Sequence, residues 1–550
     1  MADGSRSFSA QGSPAVWLRL TIPSVGDVIF IVLLARLVLS SLSVRLLGDA
    51  GIGWHIRTGQ QILTTRAIPR ADLFSSIMNG KPWFAWEWLY DVIAGGLERV
   101  LGLNGVVLFT ALIISVVFAW TFRLLTRRGT NLLVAIVLVL LAAAASMIHF
   151  LARPHVVTWL FALAWFHILD SSERGAERSG VGTHSNPIPA RRELSLWLLP
   201  GSMLLWVNLH GGFLIAFALV GIYWLSALWM RFGTAHDRLE DTLRKHRAAK
   251  RARQLALVTV LTALATLANP YGFRLHVHIY TYLSNRFLMD HIDEFQSPNF
   301  HGVAQKCFAI LLLLAFLTAA AKVRNFTVSE ILIVMFAVSS GLYASRNIPI
   351  ASLLLVLVIG PTLSEAVERL GTRGSVALGV RRLFARFATF SARMGEIDSS
   401  LRGSLWSVVA VILICAIAAN GGKLRSQQLM YAHFDDRRFP EAAVNFMERG
   451  SAHEPVLSPD SWGGYLIYRF YPKTQIVLDD RHDLYGEDIL KSYLKMMAAE
   501  PGWGEFLRAY KVKLVLIPKA SPLANILAST PEWKLEYADD VAVLFERDGG

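Results

Sequence analysis

Apolar runs dominate the chain up to residue 421. About eleven of them, near 27–47, 105–125, 130–148, 154–170, 194–208, 211–231, 254–268, 304–321, 327–344, 348–365 and 404–421, approach the ~20 residues a helix needs to cross a bilayer. The pattern predicts a mostly α-helical, polytopic membrane domain over 27–421. Residues 87–101 are apolar but short, and they hold Asp91, Glu98 and Arg99. They predict a helix lying in the interface, because a span here would carry Arg123, Arg127 and Arg128 to the outer side against the charge rule. Beyond residue 425 the period changes. QIVLD (475–479), KLVLIP (513–518) and VAVLFE (541–546) read as strands, and PEAAVNFMERG (440–450) as a helix, so 425–550 is a soluble α/β domain. No glycine-rich loop opens its helices, which argues against nucleotide binding.

The connections between the runs alternate in character. One set is basic: Arg123 to Arg128, Arg231 to Arg253, Lys322 with Arg324, and Arg369 to Arg402. Lys/Arg-rich loops stay cytoplasmic, so the net charge of +13 reports topology and anionic-lipid contact, and nucleic acid is not an expected partner. This puts the N-terminus (1–26) inside and a long first outer loop over 48–104. The C-terminal domain falls outside. The first run lacks a cleavage pattern and reads as a signal anchor. GVRRLFARFATFSARMG (379–395) reads either as an amphipathic helix on the inner leaflet or as a basic connector. Cys307 and Cys415 both fall inside expected spans, which excludes a disulfide framework or a thiolate metal site.

The other set of connections holds the chemistry. GDAGIGWHIRTGQ (48–60) carries Asp49, His55 and Arg57; IPRADLFS (68–75) carries Asp72; GKPWFAWEWLYD (80–91) carries Glu87 among tryptophans. HFLARPH (149–155) adds Arg153 and His155, and WVNLHGGF (206–213) adds Asn208 and His210. DHIDEFQSPNF (290–300) brings Asp293 and Glu294, and YASRNIP (343–349) brings Arg346. Each alone reads equally as a satisfied polar group at a helix end. Together on one face they point to a site, because ionisable groups at a membrane are costly. Arg36 falls mid-run and must pair or face a cavity. In the soluble domain VLDDRHDLYG (477–486) sets Asp479, Asp480, Arg481 and Asp483 after a strand, as binding residues or as a turn held by internal salt bridges; a divalent cation is a candidate there without diagnostic spacing.

These strings resemble bacterial multi-pass proteins of the GT-C glycosyltransferase class. The likeness runs through WHIRTGQ, IPRADLFS, PWFAWEWL, LARPH, WVNLHGGF, NPYG, DEFQSPNF and SRNIP to SWGGYLIY and D-x-R-x-D-x-Y-G in the C-terminal domain, nearly the whole chain. The class includes protein O-mannosyltransferases, oligosaccharyltransferases and lipid A aminoarabinose transferases, which take a sugar from a polyprenyl phosphate or pyrophosphate at the outer membrane face. Their essential acidic residue lies just past the first span, which the resemblance maps onto Asp49. Where relatives often carry a second acidic residue, this chain has Gly51 and Ile52, and His155 stands where several have Asp.

The resemblance implies an inverting transferase in a bacterial inner membrane, using a polyprenyl-phosphate-type donor and a lipid, glycan or protein acceptor. Transfer needs a carboxylate to take the acceptor's proton and cations to hold the departing phosphate. Asp49 is the expected base. Arg57, Arg153, His155 and Arg346 are the expected phosphate clamps, and His55, Asn208 and His210 would orient sugar or phosphate. Asp293 and Glu294 are a rival base or a metal-binding pair, and Asp72 and Glu87 are secondary candidates. A flippase of lipid-linked glycans is the alternative from another class, but it predicts repeats and midplane polar residues that this chain lacks. A scaffold with an outer interaction domain is a third.

Overall fold

The computed structural model describes residues 21–178, 195–233, 239–321, 323–372, 377–401, 403–450 and 454–548. Most of the 1–26 segment, Lys322 and Arg402 lie outside the described residues. The membrane part runs through α1 (Val25–Val38), α2 (Leu42–Leu46), α3 (Ile52–Thr65), α4 (Trp88–Leu101), α5 (Leu103–Arg127), α6 (Leu132–Ser146), α7 (His155–Arg178), α8 (Leu198–Leu209), α9 (Ile215–Phe232), α10 (Leu239–Ala265), α11 (Arg274–Ser284), α12 (Arg286–His291), α13 (Val303–Ala320), α14 (Val328–Tyr343), α15 (Ile348–Thr372), α16 (Leu378–Ser400) and α17 (Ser404–Ala419). Five stretches are long and apolar enough to cross a membrane by length and composition: Leu103–Arg127, Leu132–His149, Gly211–Phe232, Val303–Ala320 and Ser345–Thr372. The bent pair α16/α17 would make a sixth, and Ser195–Leu209 and Val328–Tyr343 are shorter apolar helices. The chain is a multi-pass membrane protein. α15 is its axis: the run from Ile348 to Gly360 is buried, packed on α6, α13, α14 and α16.

The expected single span over 27–47 is two helices. α1 covers only 14 residues, and its axis ends where Ser40 Oγ donates to the Arg36 carbonyl and Ser43 Oγ to the Ser40 carbonyl at 2.8 Å. Serine hydroxyls that capture backbone carbonyls compete with helix continuation. Arg36 is in the last turn of α1 with its side chain exposed, so it escapes the cost of a mid-span charge by snorkelling at a helix end. The helix expected over 87–101 forms as α4 and is stopped at Gly102, whose φ of +62° suits glycine. The segment at 379–395 is helical within α16, pinned to the start of α6 where Leu133 N–H donates to Ser391 Oγ at 3.1 Å.

The C-terminal domain contains β1 (Lys423–Leu424), β2 (Gln427–Gln428), α18 (Glu441–Arg449), β3 (Val456–Leu457), α19 (Asp460–Phe470), α20 (His482–Met497), α21 (Gly504–Ala509), β4 (Leu514–Pro518), α22 (Pro522–Ser529), β5 (Trp533–Ala538) and β6 (Ala542–Arg547). Its four-stranded sheet has the order β3-β4-β6-β5; β3 is parallel to β4 and the other pairs are antiparallel. KLVLIP and VAVLFE become β4 and β6. QIVLD does not form a regular strand. Ile476 makes single parallel bridges to Val456 on one side and Ser75 on the other, because this segment joins the sheet to the loop after α3 and has only one residue's length of partner on each side. Ser76 N–H donates to Ile476 O at 2.8 Å and Ile476 N–H to Phe74 O at 3.1 Å.

Glycines set the close approaches that hold α3 in place. A Cβ on Gly59 would stand 1.7 Å from Asp91 O, and one on Gly95 2.6 Å from Gln60 N, so α3 and α4 touch backbone to backbone. On the other face of α3, a Cβ on Gly53 would meet Gly464 O at 2.0 Å, seating α19 against it.

Candidate active site

The polar strings converge at the end of the helical bundle that carries the C-terminal domain. Trp88 Nε1 donates to Asn208 Oδ1 at 2.7 Å, and Asn208 Nδ2 donates to Ala268 O at 2.8 Å. Ala85 N–H donates to Tyr271 Oη at 2.8 Å, and Ser345 N–H to Gln296 O at 2.8 Å. Three of the connections are thus joined to one another, and the other two are joined to each other.

At its centre, Asp49 follows α2 and accepts from Gly51 N–H at 2.8 Å. Its other oxygen accepts from Arg153 Nη1 at 2.9 Å. The same nitrogen lies 3.8 Å from Asp480 Oδ2, and Asp480 Oδ1 accepts from Trp54 Nε1 at 3.0 Å. Gly51 makes this convergence fit: a Cβ there would be 2.6 Å from Asp480 Oδ2 and 3.0 Å from Asp49 Oδ1. Burial pushes the Asp480 carboxyl up to about 7, with Asp49 and Asp479 adding to the shift and Arg153 opposing it. Beneath Asp49 opens a pocket of 630 Å³, walled by Leu33 and Leu37 of α1, Leu140 and Ala143 of α6, and Met147, with Arg45 and Arg438 at its edge.

Beside this centre, Arg346 Nη1 pairs with Glu294 Oε1 at 3.2 Å and lies over the Phe295 ring at 4.4 Å. Against the desolvation that would raise it, Arg346, then Arg153 and His149, hold Glu294 down at about 2. His155 Nε2 donates to the His149 carbonyl at 2.8 Å.

A buried polar chain backs the site. His55 Nδ1 is 2.6 Å from Asp91 Oδ1. Glu87 lies between His55 Nε2 (3.8 Å) and His210 Nε2 (3.6 Å). His210 Nδ1 accepts from Gly212 N–H at 3.0 Å and faces Thr158 Oγ1 at 2.7 Å, which leaves its Nε2 as the protonated nitrogen toward Glu87. Desolvation lowers His55 and raises Asp91, and it raises Glu87 to about 8. Burial here favours the uncharged form of each of these groups.

Several expected ligands are turned to structural work. Arg57 Nε donates to Tyr468 O at 2.8 Å and its guanidinium packs on the Tyr468 ring at 5.1 Å, so it braces the C-terminal domain. Asn208 has both ends of its amide engaged. Arg481 pairs with Asp479 (2.6 Å) and with Asp72 of the first loop (2.8 Å), stacked over Trp83 at 4.7 Å and Phe74 at 5.2 Å. Although burial opposes it, Arg481 and Ser75 hold Asp72 below the usual carboxylate range. Asp483 faces His278 Nε2 at 2.9 Å. Asp293 starts a short turn ahead of Glu294 without joining the centre. Trp54, Arg438, Arg45 and the role of Asp91 emerge only in the structure. An indole or a lone arginine gives no signal in sequence until its partner is known.

Among the described residues no three His, Cys, Asp or Glu side chains converge as a metal site. Asp49 and Asp480 do converge, but the Arg153 guanidinium already bridges them.

No protein-family model matches the chain, and no curated protein matches its sequence. Solved structures do. The archaeal oligosaccharyltransferase AglB from Archaeoglobus fulgidus, in complex with an inhibitory peptide and a dolichol-phosphate, aligns over 90% of this chain and 69% of that chain at 12% identity, with a TM-score of 0.54. ArnT from Cupriavidus metallidurans bound to undecaprenyl phosphate aligns over 95% of this chain and 96% of that chain at 14% identity, with a TM-score of 0.40. At such identity the likeness speaks to fold alone, and this chain shares the overall fold of the AglB structure.

Proposed function

We propose that this protein is an inverting glycosyltransferase that moves a sugar from a polyprenyl-phosphate-type donor to a lipid, glycan or protein acceptor at the outer face of a bacterial cytoplasmic membrane. The observation that carries the reading is the Asp49–Arg153 ion pair, whose Asp49 lines the aliphatic pocket. A prenyl tail fits between α1 and α6, and a phosphate at the mouth meets Arg153 with Arg45 and Arg438 close by. Arg153 has five N–H donors, enough to keep Asp49 and take phosphate oxygens bidentately. Asp49 removes the proton from the acceptor hydroxyl as its oxygen bonds to the anomeric carbon. The bond from that carbon to the phosphate oxygen breaks, and the lipid phosphate leaves with its charge held by Arg153. Arg346, positioned by Glu294, is the second clamp, and His155 and His210 line the approach. The reading carries with it eleven spans, a cytoplasmic N-terminus and an outer C-terminal domain over 425–550.

Native mass spectrometry of the purified protein tests it. The expected outcome is a retained lipid-linked sugar in wild type, more of it in Asp49→Asn, and none in Arg153→Ala. Turnover of that lipid by Asp49→Asn should fall by about 10²–10⁴-fold, the range of a lost general base. Full activity in Asp49→Asn would remove Asp49 as the base. Equal retention by Arg153→Ala would remove the phosphate site.

A further inference from the structure

Two carboxylates reach Arg153 from opposite halves of the chain. Asp49 comes from the membrane part, and Asp480 is delivered by the C-terminal domain, its Oδ2 3.8 Å from Arg153 Nη1. We infer that Asp480 competes with the donor phosphate for the Arg153 guanidinium, so that the turn 479–481 gates donor binding and opens the site by taking up a proton. The inference rests on the proposed phosphate site at Arg153.

Three contacts make the gate a fixed object. Trp54 Nε1 holds Asp480 Oδ1 at 3.0 Å. The next residue, Arg481, is bonded to Asp479 and across to Asp72 at 2.8 Å. Gly463 of α19 presses on Asp479 so closely that a Cβ would stand 2.5 Å from its Cα. The backbone on either side of Asp480 is therefore fixed and its carboxylate turns away only by giving up the Trp54 hydrogen bond, whereas a proton on its carboxyl removes the competing charge in place. The charged and titratable groups facing it are Asp49 and Arg153 from the membrane part and Asp479 and His482 from its own turn. Adding a phosphate to Arg153 with both carboxylates ionised would set three anions around one guanidinium. Like charges this close disfavour one another strongly. With the Asp480 carboxyl pushed up to about 7, its neutral form is the minority at pH 8 and the majority at pH 6.

The test is undecaprenyl phosphate titrated into the full-length protein in detergent at pH 6 and pH 8. If only the neutral form admits phosphate, wild type at pH 8 is about one-tenth competent, and Asp480→Asn should bind about tenfold more tightly. At pH 6 the two should bind alike, within about twofold. The ratio of variant to wild type cancels the titration of the lipid phosphate itself. Trp54→Phe, which removes the donor that steadies the ionised carboxylate, should shift binding at pH 8 in the same direction and covers the case in which Asp480→Asn does not fold. Equal affinities of wild type and both variants at pH 8, or an equal gain at both pH values, would overturn the gate while leaving the phosphate site standing. Binding by Arg153→Ala as tight as wild type would overturn the phosphate site and the gate with it.

Discussion

The two ends of the helical bundle both concentrate arginine–carboxylate pairs, and they use them differently. At the arginine-rich end, Arg128 bonds Asp170 and reaches Glu330 at 3.1 Å, while Arg324 also bonds Glu330 at 2.8 Å and Thr362 at 2.9 Å. Asp27 at the start of α1 takes Arg123 at 2.7 Å and Ser407 at 3.0 Å. These pairs tie α1, α5, α7, α14, α15 and α17 together. At the other end, Asp49 and Arg153 are 27% and 26% exposed, against 7% and 3% for Asp170 and Arg128. Arg128 and Asp170 are closed off from solvent; the open pair keeps donors and an acceptor face for something else. An ion pair becomes a site when burial stops short of completing it.

Breaking the closed pairs should have the largest effect. Asp170→Asn leaves Arg128 short of its main partner in a buried place and should destabilise the protein by about 3–5 kcal/mol, read as a lower unfolding temperature in detergent with unchanged lipid binding in the folded fraction. Arg481→Ala strands Asp72 and Asp479, both fully buried, and should lose a similar amount, about 3–5 kcal/mol, locally. Limited proteolysis should then release the C-terminal domain while the helical part stays intact. A single all-or-none loss of both parts would mean the domain is not separately docked.

Glu87 sharpens the comparison from within the polar chain. Its carboxyl, pushed up to about 8 by burial, binds a proton in the folded state where the unfolded chain has lost it, so stability falls as pH rises from the ordinary carboxylate range through 8. Glu87→Gln should flatten that slope and gain roughly 1–3 kcal/mol over wild type at pH 8, with little difference at pH 4. Thermal unfolding at the two pH values checks it. The smallest stability effect belongs to Arg153→Ala. As a part-exposed pair it should change stability by no more than ~1 kcal/mol, while binding of undecaprenyl phosphate drops about tenfold or more through loss of a charge-assisted hydrogen bond.

The helices were legible because a 20-residue apolar run leaves few other options, and β4, β6 and α18 because their periods are clean. The break after α1 was not, since it depends on which backbone carbonyls Ser40 and Ser43 capture. The one-sidedness of the polar strings gave the location of the site but not the division of labour within it. Arg57 and Arg153 look alike in sequence; the first is taken by the Tyr468 carbonyl and the second by carboxylates. His55 reads as a ligand until Asp91, a full α3–α4 crossing away, closes on it. Asp480 could be noted as a residue after a strand, yet its approach to Asp49 spans most of the chain and rests on glycines at 51, 53 and 464 whose role is visible only once the backbones touch.

The shortness of α1 has a consequence for the surrounding lipid. Fourteen helical residues rise about 21 Å, well under the ~30 Å of an ordinary hydrocarbon layer. In the eleven-span reading proposed above, either α2 completes the crossing or the bilayer thins next to the aliphatic pocket, and thinning costs elastic energy that grows with acyl-chain length. Lipid with shorter chains should gather there and ease a headgroup toward Asp49, so undecaprenyl phosphate binding in bilayers of graded thickness should weaken as the chains lengthen.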